Sequence, residues 1–355
     1  MLFSKPKSHI GVDIGTSNIK IVQLHPKDDK FALETYGVVN VAYQISSKDS
    51  ATAINQTAEI LKNLITKSRA TTNKIVASLP NSVVFTSVIE MPQMPDAELK
   101  SAIEFEAKKY VPLPLTEVAL SWSIIQQKKQ KVTMETNLGS VGKQPTDPNK
   151  NKILLTAVPN VVVENYLKVF RTAGLEPLAL EIEALSLIRS LVNEDDKTIL
   201  LIDIGAKNTS INLVDNGYLR FSKNLNVGGD TVTTSIAQSL SVNFVRAEQF
   251  KKDFGLTAAG QQIPQVIKPI LDIVKNEAHQ LVSLFESKGE RIDQILLSGA
   301  GSKLPSLKDY FGTLGKPVLL ANPWANVIYP PELKPVIEPL ALNLAVAVGL
   351  GMRKF

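Results

Sequence analysis

Cysteine is absent from all 355 residues, which excludes disulfides and thiolate-bound metals and fits a reducing compartment. Histidine is scarce. His9, His25 and His279 stand far apart, with none of the spacing that a histidine-built zinc site needs. Charge of one sign is not in marked excess. The formal net charge is +5, thin for this length, and no basic block interleaved with aromatics occurs, so nucleic-acid binding is not expected. Long hydrophobic runs are missing as well. The first apolar run begins at Ile10 after a short lysine-containing lead and is too short for the apolar region of a signal peptide. The best later candidate, Leu340 to Leu350, is broken by Asn343 and Gly349 and falls short of the roughly 20 residues that cross a bilayer. A cytoplasmic protein is the expectation. At 44% hydrophobic residues, the chain has material for two or three folding units with their own cores.

What the sequence does contain is a repeat. Gly11-Val12-Asp13-Ile14-Gly15-Thr16-Ser17 returns in outline as Leu201-Ile202-Asp203-Ile204-Gly205-Ala206-Lys207. Each time an apolar run enters an Asp-Ile-Gly turn, and a β-rich run leaves it, Ile19 to Leu24 and Thr209 to Val214. This pattern predicts two β-hairpins, one in each half, and two similar domains facing each other across a cleft.

Between the repeats lies a distinct module. Val83 to Met91 reads as a strand closed by Pro92 and Pro95, and Asp96 is placed to cap a helix from Ala97 to about Val111. Leu99, Ile103, Ala107 and Tyr110 give that helix an apolar face, opposite Lys100, Glu104 and Lys108. Strands at Val118–Ile125 and Ile153–Val158 and a helix at Val161–Thr172 complete a strand-helix-strand-strand-helix insertion. Lys128 to Lys152 is polar and reads as a long loop. Downstream, helices are predicted from Gly228-Gly229-Asp230, over Ala247–Phe254, and over Val266–Lys288 with Val266, Ile270, Ile273, Val274, Leu281 and Leu284 on one side. A strand at Gln294–Leu297 runs into Ser298-Gly299-Ala300-Gly301-Ser302, and an Ala- and Gly-rich helix closes the chain over Leu340–Gly351.

The candidate chemistry sits in the turns. A Gly-containing turn opens the backbone to phosphate, and successive N–H groups make an anion nest. Around the first turn, Thr16 and Ser17 add hydroxyls, Lys20 is placed to reach a β- or γ-phosphate, and Asp13 offers a carboxylate to Mg²⁺ through water. Asp203 and Gly205 supply a second such clamp. One turn alone is more simply a hairpin with Asp for turn chemistry; two copies in opposite halves favour a site. Gly299 and Gly301, in a Gly-rich turn after a strand, can pack against a nucleotide.

Two opposed Asp-Ile-Gly hairpins and a late Ser-Gly-x-Gly turn resemble the actin, heat-shock chaperone and sugar-kinase ATPase fold. Within it the chain is similar to the PilM family, and less closely to FtsA. The phrases carrying the likeness are Ser87-Val88-Ile89-Glu90-Met91-Pro92, Ala102-Ile103-Glu104-Phe105-Glu106-Ala107, Tyr110-Val111-Pro112, Ala173-Gly174-Leu175-Glu176-Pro177 and Leu297-Ser298-Gly299-Ala300-Gly301, within Ile10 to Arg353. The resemblance implies an α/β, actin-like ATPase fold: two ribonuclease-H-like domains around a nucleotide cleft, with an inserted 1C subdomain of the FtsA and PilM type. It implies subdomain 1A at 1–82 and 175–196, 1C at 83–174, 2A at 197–227 and 291–340, 2B at 228–290, and a closing helix at 341–355. Asp13, Gly15, Thr16, Ser17 and Lys20 fall on the first phosphate motif, and Asp203 and Gly205 on the second. Gly228 and Gly229 fall at the start of a helix beside the nucleotide. Glu248 and Lys251 fall on ribose and adenine contacts, and Gly299, Gly301 and Ser302 on the adenosine motif. Glu183 falls where relatives orient the attacking water, and Asp203 joins it as catalytic; Asp13 and Asp203 would hold Mg²⁺. The ordinary alternatives are a helix-surface carboxylate at Glu183 and an exposed helix pair at Glu248 and Lys251.

The cofactors so implied are ATP and Mg²⁺. Where many relatives have a run of glycines after the second Asp-x-Gly, this chain has Ala206-Lys207, which restricts backbone approach to phosphate. Tight binding with slow or absent turnover is therefore as well supported as a working ATPase. The implied partner is the cytoplasmic N-terminal peptide of a PilN-type membrane protein, together with other type IV pilus platform proteins. Membrane contact is then only through partners, peripheral at the inner membrane, and self-association as a homo-oligomer or filament stays open. Two alternatives stand beside this. An FtsA-like filament-forming division protein would carry a linker and an amphipathic anchor after the closing helix, where this sequence reads Gly351-Met352-Arg353-Lys354-Phe355. A small-molecule kinase shares the fold but would need an acceptor pocket with a catalytic carboxylate.

Overall fold

The computed structural model describes residues 8–41, 51–125, 150–192, 197–260 and 262–355. The first repeat forms a hairpin of β1 (His9–Ile14) and β2 (Asn18–Lys27), continued by β3 (Lys30–Asn40). Helix α1 (Ala51–Ser68) carries the chain across to β4 (Lys74–Leu79), which lies parallel to β1. The apolar residues Ile54, Ala58, Leu61 and Leu64 recur at helical spacing and bury one face of α1 on the sheet.

The insertion follows: β5 (Phe85–Pro92), α2 (Asp96–Ala107), β6 (Val118–Ile125), β7 (Lys150–Pro159) and α3 (Asn160–Thr172). β7 runs antiparallel between β5 and β6 in a three-stranded sheet, covered by Leu99, Ile103 and Ala107 of α2. Four expectations change here. Asp96 lies in the first turn of α2, with Pro95 at the cap position. The helix ends at Ala107, not Val111, because Lys108–Tyr110 tighten into turns ahead of Pro112, whose ring disfavours helical backbone before it. Tyr110 is 48% exposed and leaves the apolar face. The fifth element departs from the insertion: Val162, Tyr166, Val169 and Phe170 of α3 pack with α1 in the core of the first sheet. The part of the polar loop at 128–149 lies outside the described residues, and Lys150–Lys152 belong to β7.

The chain returns to the first sheet as β8 (Glu176–Ile182), parallel to β4, and enters α4 (Glu183–Leu191). The second repeat then builds β9 (Thr198–Ile204), β10 (Thr209–Asp215) and β11 (Tyr218–Leu225). Three helices follow, α5 (Gly229–Ser239), α6 (Phe244–Phe254) and α7 (Ile263–Ser287), whose apolar residues close over this sheet. The buried stripe of α7 is Ile263, Ile267, Leu271, Val274, Ala278, Leu281 and Val282. Ile273 and Leu284, expected on that side, lie off the stripe and are 50% and 47% exposed. After α7, β12 (Gln294–Ser298) inserts parallel to β9, then come α8 (Leu307–Gly312) and β13 (Val318–Leu320).

The last elements return to the first half. β14 (Val327–Ile328) joins the edge of the first sheet, giving the order β14-β3-β2-β1-β4-β8 against β11-β10-β9-β12-β13 in the second. A short helix, α9 (Lys334–Ile337), leads to α10 (Ala341–Gly351), which packs on β1, β2 and α4. Its glycine permits that approach: a Cβ on Gly349 would collide with the carbonyl of Ser186 in α4. Pro331–Gly351 has the length and mean hydropathy, 1.5, of a membrane span, more apolar continuity than its interruptions suggested. Asn343 and Gly349 lie inside α10 and do not interrupt it; Pro331, Pro335 and Pro339 divide the stretch ahead of it into 3-10 turns and α9, and Leu342 and Leu344–Gly351 are buried in the protein core.

Candidate functional site

Parallel strands aim their carboxyl ends at one place, and an α/β protein binds ligands there. Here β1, β4 and β8 of the first sheet end at Gly15, Pro80–Asn81 and Glu183, while β9 and β12 of the second end at Gly205 and Gly299. All of these residues line a cleft of about 660 Å³.

The two repeats fold to the same local geometry. In the first hairpin Gly15 N donates to Asn18 O at 3.0 Å; in the second Gly205 N donates to Asn208 O at 2.9 Å. Strand register places Asp13 opposite Lys20 and Asp203 opposite Ser210. The Lys20 ammonium therefore meets the Asp13 carboxylate at 2.8 Å, with both side chains nearly buried, and Ser78 of the neighbouring β4 donates to the other Asp13 oxygen at 3.2 Å. Thr16 and Ser17 line the cleft beside them. Asn18 and Asn208 also line it. They occupy the sixth position of the repeat, Asp-Ile-Gly-x-x-Asn, and carrying the repeat one residue further finds them.

Glu183 opens α4 and accepts a hydrogen bond from Asn81 N at 3.3 Å. Burial, with the nearby charges of Asp13 and Asp203 adding to it, pushes its carboxyl up to about 8, against the weaker pull of the Asn81 N–H and Lys20. Asp203 is pushed up to about 6, chiefly by burial. The Ser298 hydroxyl and Lys20 oppose that rise; the hydroxyl lies close to the carboxylate, but Ser298 Oγ makes no well-formed hydrogen bond among the described residues. Three carboxyl groups thus face one ammonium; Glu183 keeps its proton at neutral pH and Asp13 is paired with Lys20, which leaves Asp203 without a counter-charge. That residual negative charge suits a cation. Among the described residues, however, no cluster of three or more metal-binding side chains occurs, and Asp13 is already bonded to Lys20 and Ser78. The residues present fit a divalent ion that keeps its water and takes oxygens from a ligand, with the carboxylates outside its first shell.

On the second half, Glu248 accepts bonds from Lys251 and from the Thr233 hydroxyl, each at 2.6 Å. Burial raises the Glu248 pKa, but these bonds outweigh it and hold the carboxylate below its ordinary value. Lys251 also donates to Gly229 O at 3.1 Å. Gly228 and Gly229 line the cleft, but the N–H of Gly229 is taken by Gly205 O at 2.9 Å, and that of Asp230 by Ala206 O at 2.7 Å. These two N–H groups lock α5 to the second turn instead of facing a ligand. Gly299, at φ 81°, admits only glycine readily, and a Cβ there would strike the Ile204 carbonyl.

Of the residues singled out from sequence, Asp13, Gly15, Thr16, Ser17, Lys20, Glu183, Asp203, Gly205, Gly228, Gly229, Glu248, Lys251, Gly299 and Gly301 share this cleft. Ser302 does not. It is buried, and its hydroxyl donates to the Ser298 carbonyl within a 3-10 turn over Ala300–Lys303, a helical turn of a different kind from the one a Gly-rich loop opens. Lys207, which follows the second turn, is exposed and outside the lining. Lys252, Lys303 and Asn343 also line the cleft and no motif marks them; Lys303 donates to the Pro339 carbonyl, tying the second half to the 3-10 turn ahead of α10.

The sequence model of the family described as type IV pilus assembly protein PilM matches residues 11–355. The solved structure described as a PilM-PilN type IV pilus biogenesis complex superposes with a TM-score of 0.81 at 25% identity, over 97% of this chain and 98% of that one. The ethanolamine utilization protein EutJ from Carboxydothermus hydrogenoformans follows at 0.56 and 16%, over 98% and 90%. Its likeness, and that of MreB5 of Spiroplasma citri, at 0.51 and 13% over 97% and 94%, is one of fold. Among curated proteins, cell division protein FtsA of Bacillus subtilis is 23% identical over 70% of this chain, which spans 58% of that protein. FtsA of Enterococcus hirae is 21% identical over 86% of this chain and 76% of its own length. The fold is the actin-like one that the paired hairpins implied, and the chain belongs to the family of type IV pilus assembly protein PilM.

Proposed function

We propose that this chain is a cytoplasmic, nucleotide-dependent scaffold of a type IV pilus platform, binding Mg-ATP in its cleft and the N-terminal cytoplasmic peptide of a PilN-type membrane protein elsewhere on its surface. The observation that carries the nucleotide half is the pair of matched Asp-Ile-Gly hairpins facing one cleft, with Lys20 held on Asp13. Lys20 meets phosphate, Asp13 and Asp203 hold Mg²⁺ through water, and Glu183 orients a water at the terminal phosphate. Glu248 and Lys251 take the ribose and base. Side chains at Ala206 and Lys207, and the N–H groups of Gly229 and Asp230 already spent on the second turn, favour holding ATP over rapid turnover. Bound magnesium would supply charge neutralisation of the phosphates.

The peptide half is supported by the likeness to a solved PilM-PilN complex across nearly the whole chain. Membrane association would then be peripheral and borrowed from the partner. Closure of the two halves on nucleotide would alter the peptide site or its neighbours. The test is calorimetric titration of the full chain with a PilN-type N-terminal peptide, with and without Mg-ATP, against a scrambled peptide. Saturable binding to the native sequence alone is expected. A folded chain that holds ATP but binds neither peptide sinks the scaffold reading.

A further inference from the structure

Asn81 is an unexplained polar residue at the cleft. It follows Pro80 at the carboxyl end of β4, in a 3-10 turn over Asn81–Val83. Its backbone N–H is committed to Glu183 at 3.3 Å. Its side-chain nitrogen is buried, with no hydrogen-bond partner among the described residues. A buried amide donor without an acceptor is costly, and a native structure that keeps one asks for a reason. The acid beside it takes the backbone N–H and leaves the side-chain nitrogen unbonded.

The surroundings narrow what the missing acceptor is. Asn81 lines the main cleft together with Asp13, Lys20 and Glu183. It also lines a second cavity of about 280 Å³, bounded by Thr86 of the insertion and by Ser222, Asn224 and Asn226 of the second half. Among the described residues that second cavity has no charged residue in its lining, so it offers an anion no counter-charge. The cleft side holds the Lys20 ammonium, paired with Asp13.

We propose that the Asn81 side chain is a specificity-determining donor to the terminal phosphoryl group, selecting nucleoside triphosphate over diphosphate; this rests on the nucleotide reading above. Lys20 and the two hairpins grip phosphates common to both ligands. The Asn81 amide, held beside Glu183, meets the oxygens that only the triphosphate carries.

The test is calorimetry on the full chain with Mg-ADP and Mg-AMPPNP, comparing the wild type with Asn81→Ala and the isosteric Asn81→Asp. The expected result is a loss of about tenfold in AMPPNP affinity for Asn81→Ala, from one hydrogen bond to a charged group. ADP affinity should stay within about twofold, as that bond is absent there. Asn81→Asp, which sets a carboxylate against phosphate, should lose more AMPPNP affinity still. If Asn81→Ala does not fold, the Asp variant carries the same ratio. Equal weakening of both nucleotides, the mark of a merely structural residue, overturns the proposal, as does an unchanged ratio. A wild type that binds neither nucleotide overturns this and the nucleotide reading together, which separates the two failures.

Discussion

Replacing Glu183 by Gln removes a carboxyl that the fold holds protonated far above its normal range. Its pKa moves from 4.5 to about 8 on folding, first through burial and then through Asp13 and Asp203. The sign follows from proton counting. Between these values the folded chain keeps a proton that the unfolded chain has released, so stability is lost as pH rises through the window. At about 1.36 kcal/mol per unit, ionising Glu183 costs the fold up to roughly 5 kcal/mol as pH rises from about 4.5 through about 8. Glu183→Gln keeps the shape and discards that cost, so the variant should gain on the wild type steadily across the window. The two halves of such a chain need not unfold in one step, so the first readout is the carboxyl itself. In glutamate-labelled protein, the carboxyl ¹³C resonance that disappears in Glu183→Gln should titrate with a midpoint near 8. Melting curves of the two proteins should diverge as pH rises. A midpoint in the ordinary carboxylate range, or parallel melting curves, would refute the reasoning, because it would mean that water or a rearranged Lys20 neutralises the site.

Lys20→Met leaves the nearly buried Asp13 carboxylate unpaired and should cost roughly 3–5 kcal/mol, with nucleotide binding lost, whereas Asp13→Asn combined with Lys20→Met should recover most of the stability without the binding. Denaturation of the single and double variants checks this, and a double variant as unstable as the single one contradicts it. Gly299→Ala forces a Cβ against the Ile204 carbonyl at a positive φ and should lower stability by about 1–3 kcal/mol or more; a neutral effect in melting experiments would show that the turn relaxes. His9 is held below its ordinary pKa of 6.5, mainly by burial, with Arg189 and Arg353 opposing its charge although Leu350 O accepts from its ring when protonated. The unfolded chain takes up that proton first, so stability should fall as pH drops below about 6.5, and His9→Phe should flatten this loss in acid melting curves.

Much of the site was readable because turn chemistry is local. Asp13-Ile14-Gly15 and Asp203-Ile204-Gly205 each specify their hairpin within a few residues, and the hairpin register alone sets Lys20 opposite Asp13. Glu248 and Lys251 share a helix face by spacing, so their contact needed no tertiary knowledge. Ser302 misled because spacing places a residue near a turn but does not choose which way its hydroxyl points; here it turns to Ser298 O. Asn81 carried no motif at all. It stands out because the fold leaves its side-chain nitrogen buried and unpartnered among the described residues, while Glu183, which follows a different strand, accepts its N–H.

Periodicity and turn residues, then, determined the elements and the paired hairpins, and longer phrases of sequence carried the resemblance to the family. They act through neighbours along the chain, so sequence records them directly. Tertiary structure alone decided that α3, β14 and α10 join the first sheet, and that Asp13, Glu183 and Asp203 converge from three separate strand ends. The protonation of Glu183 was likewise decided there. Desolvation and Coulomb interaction depend on distance in space, and no spacing along the sequence encodes that distance.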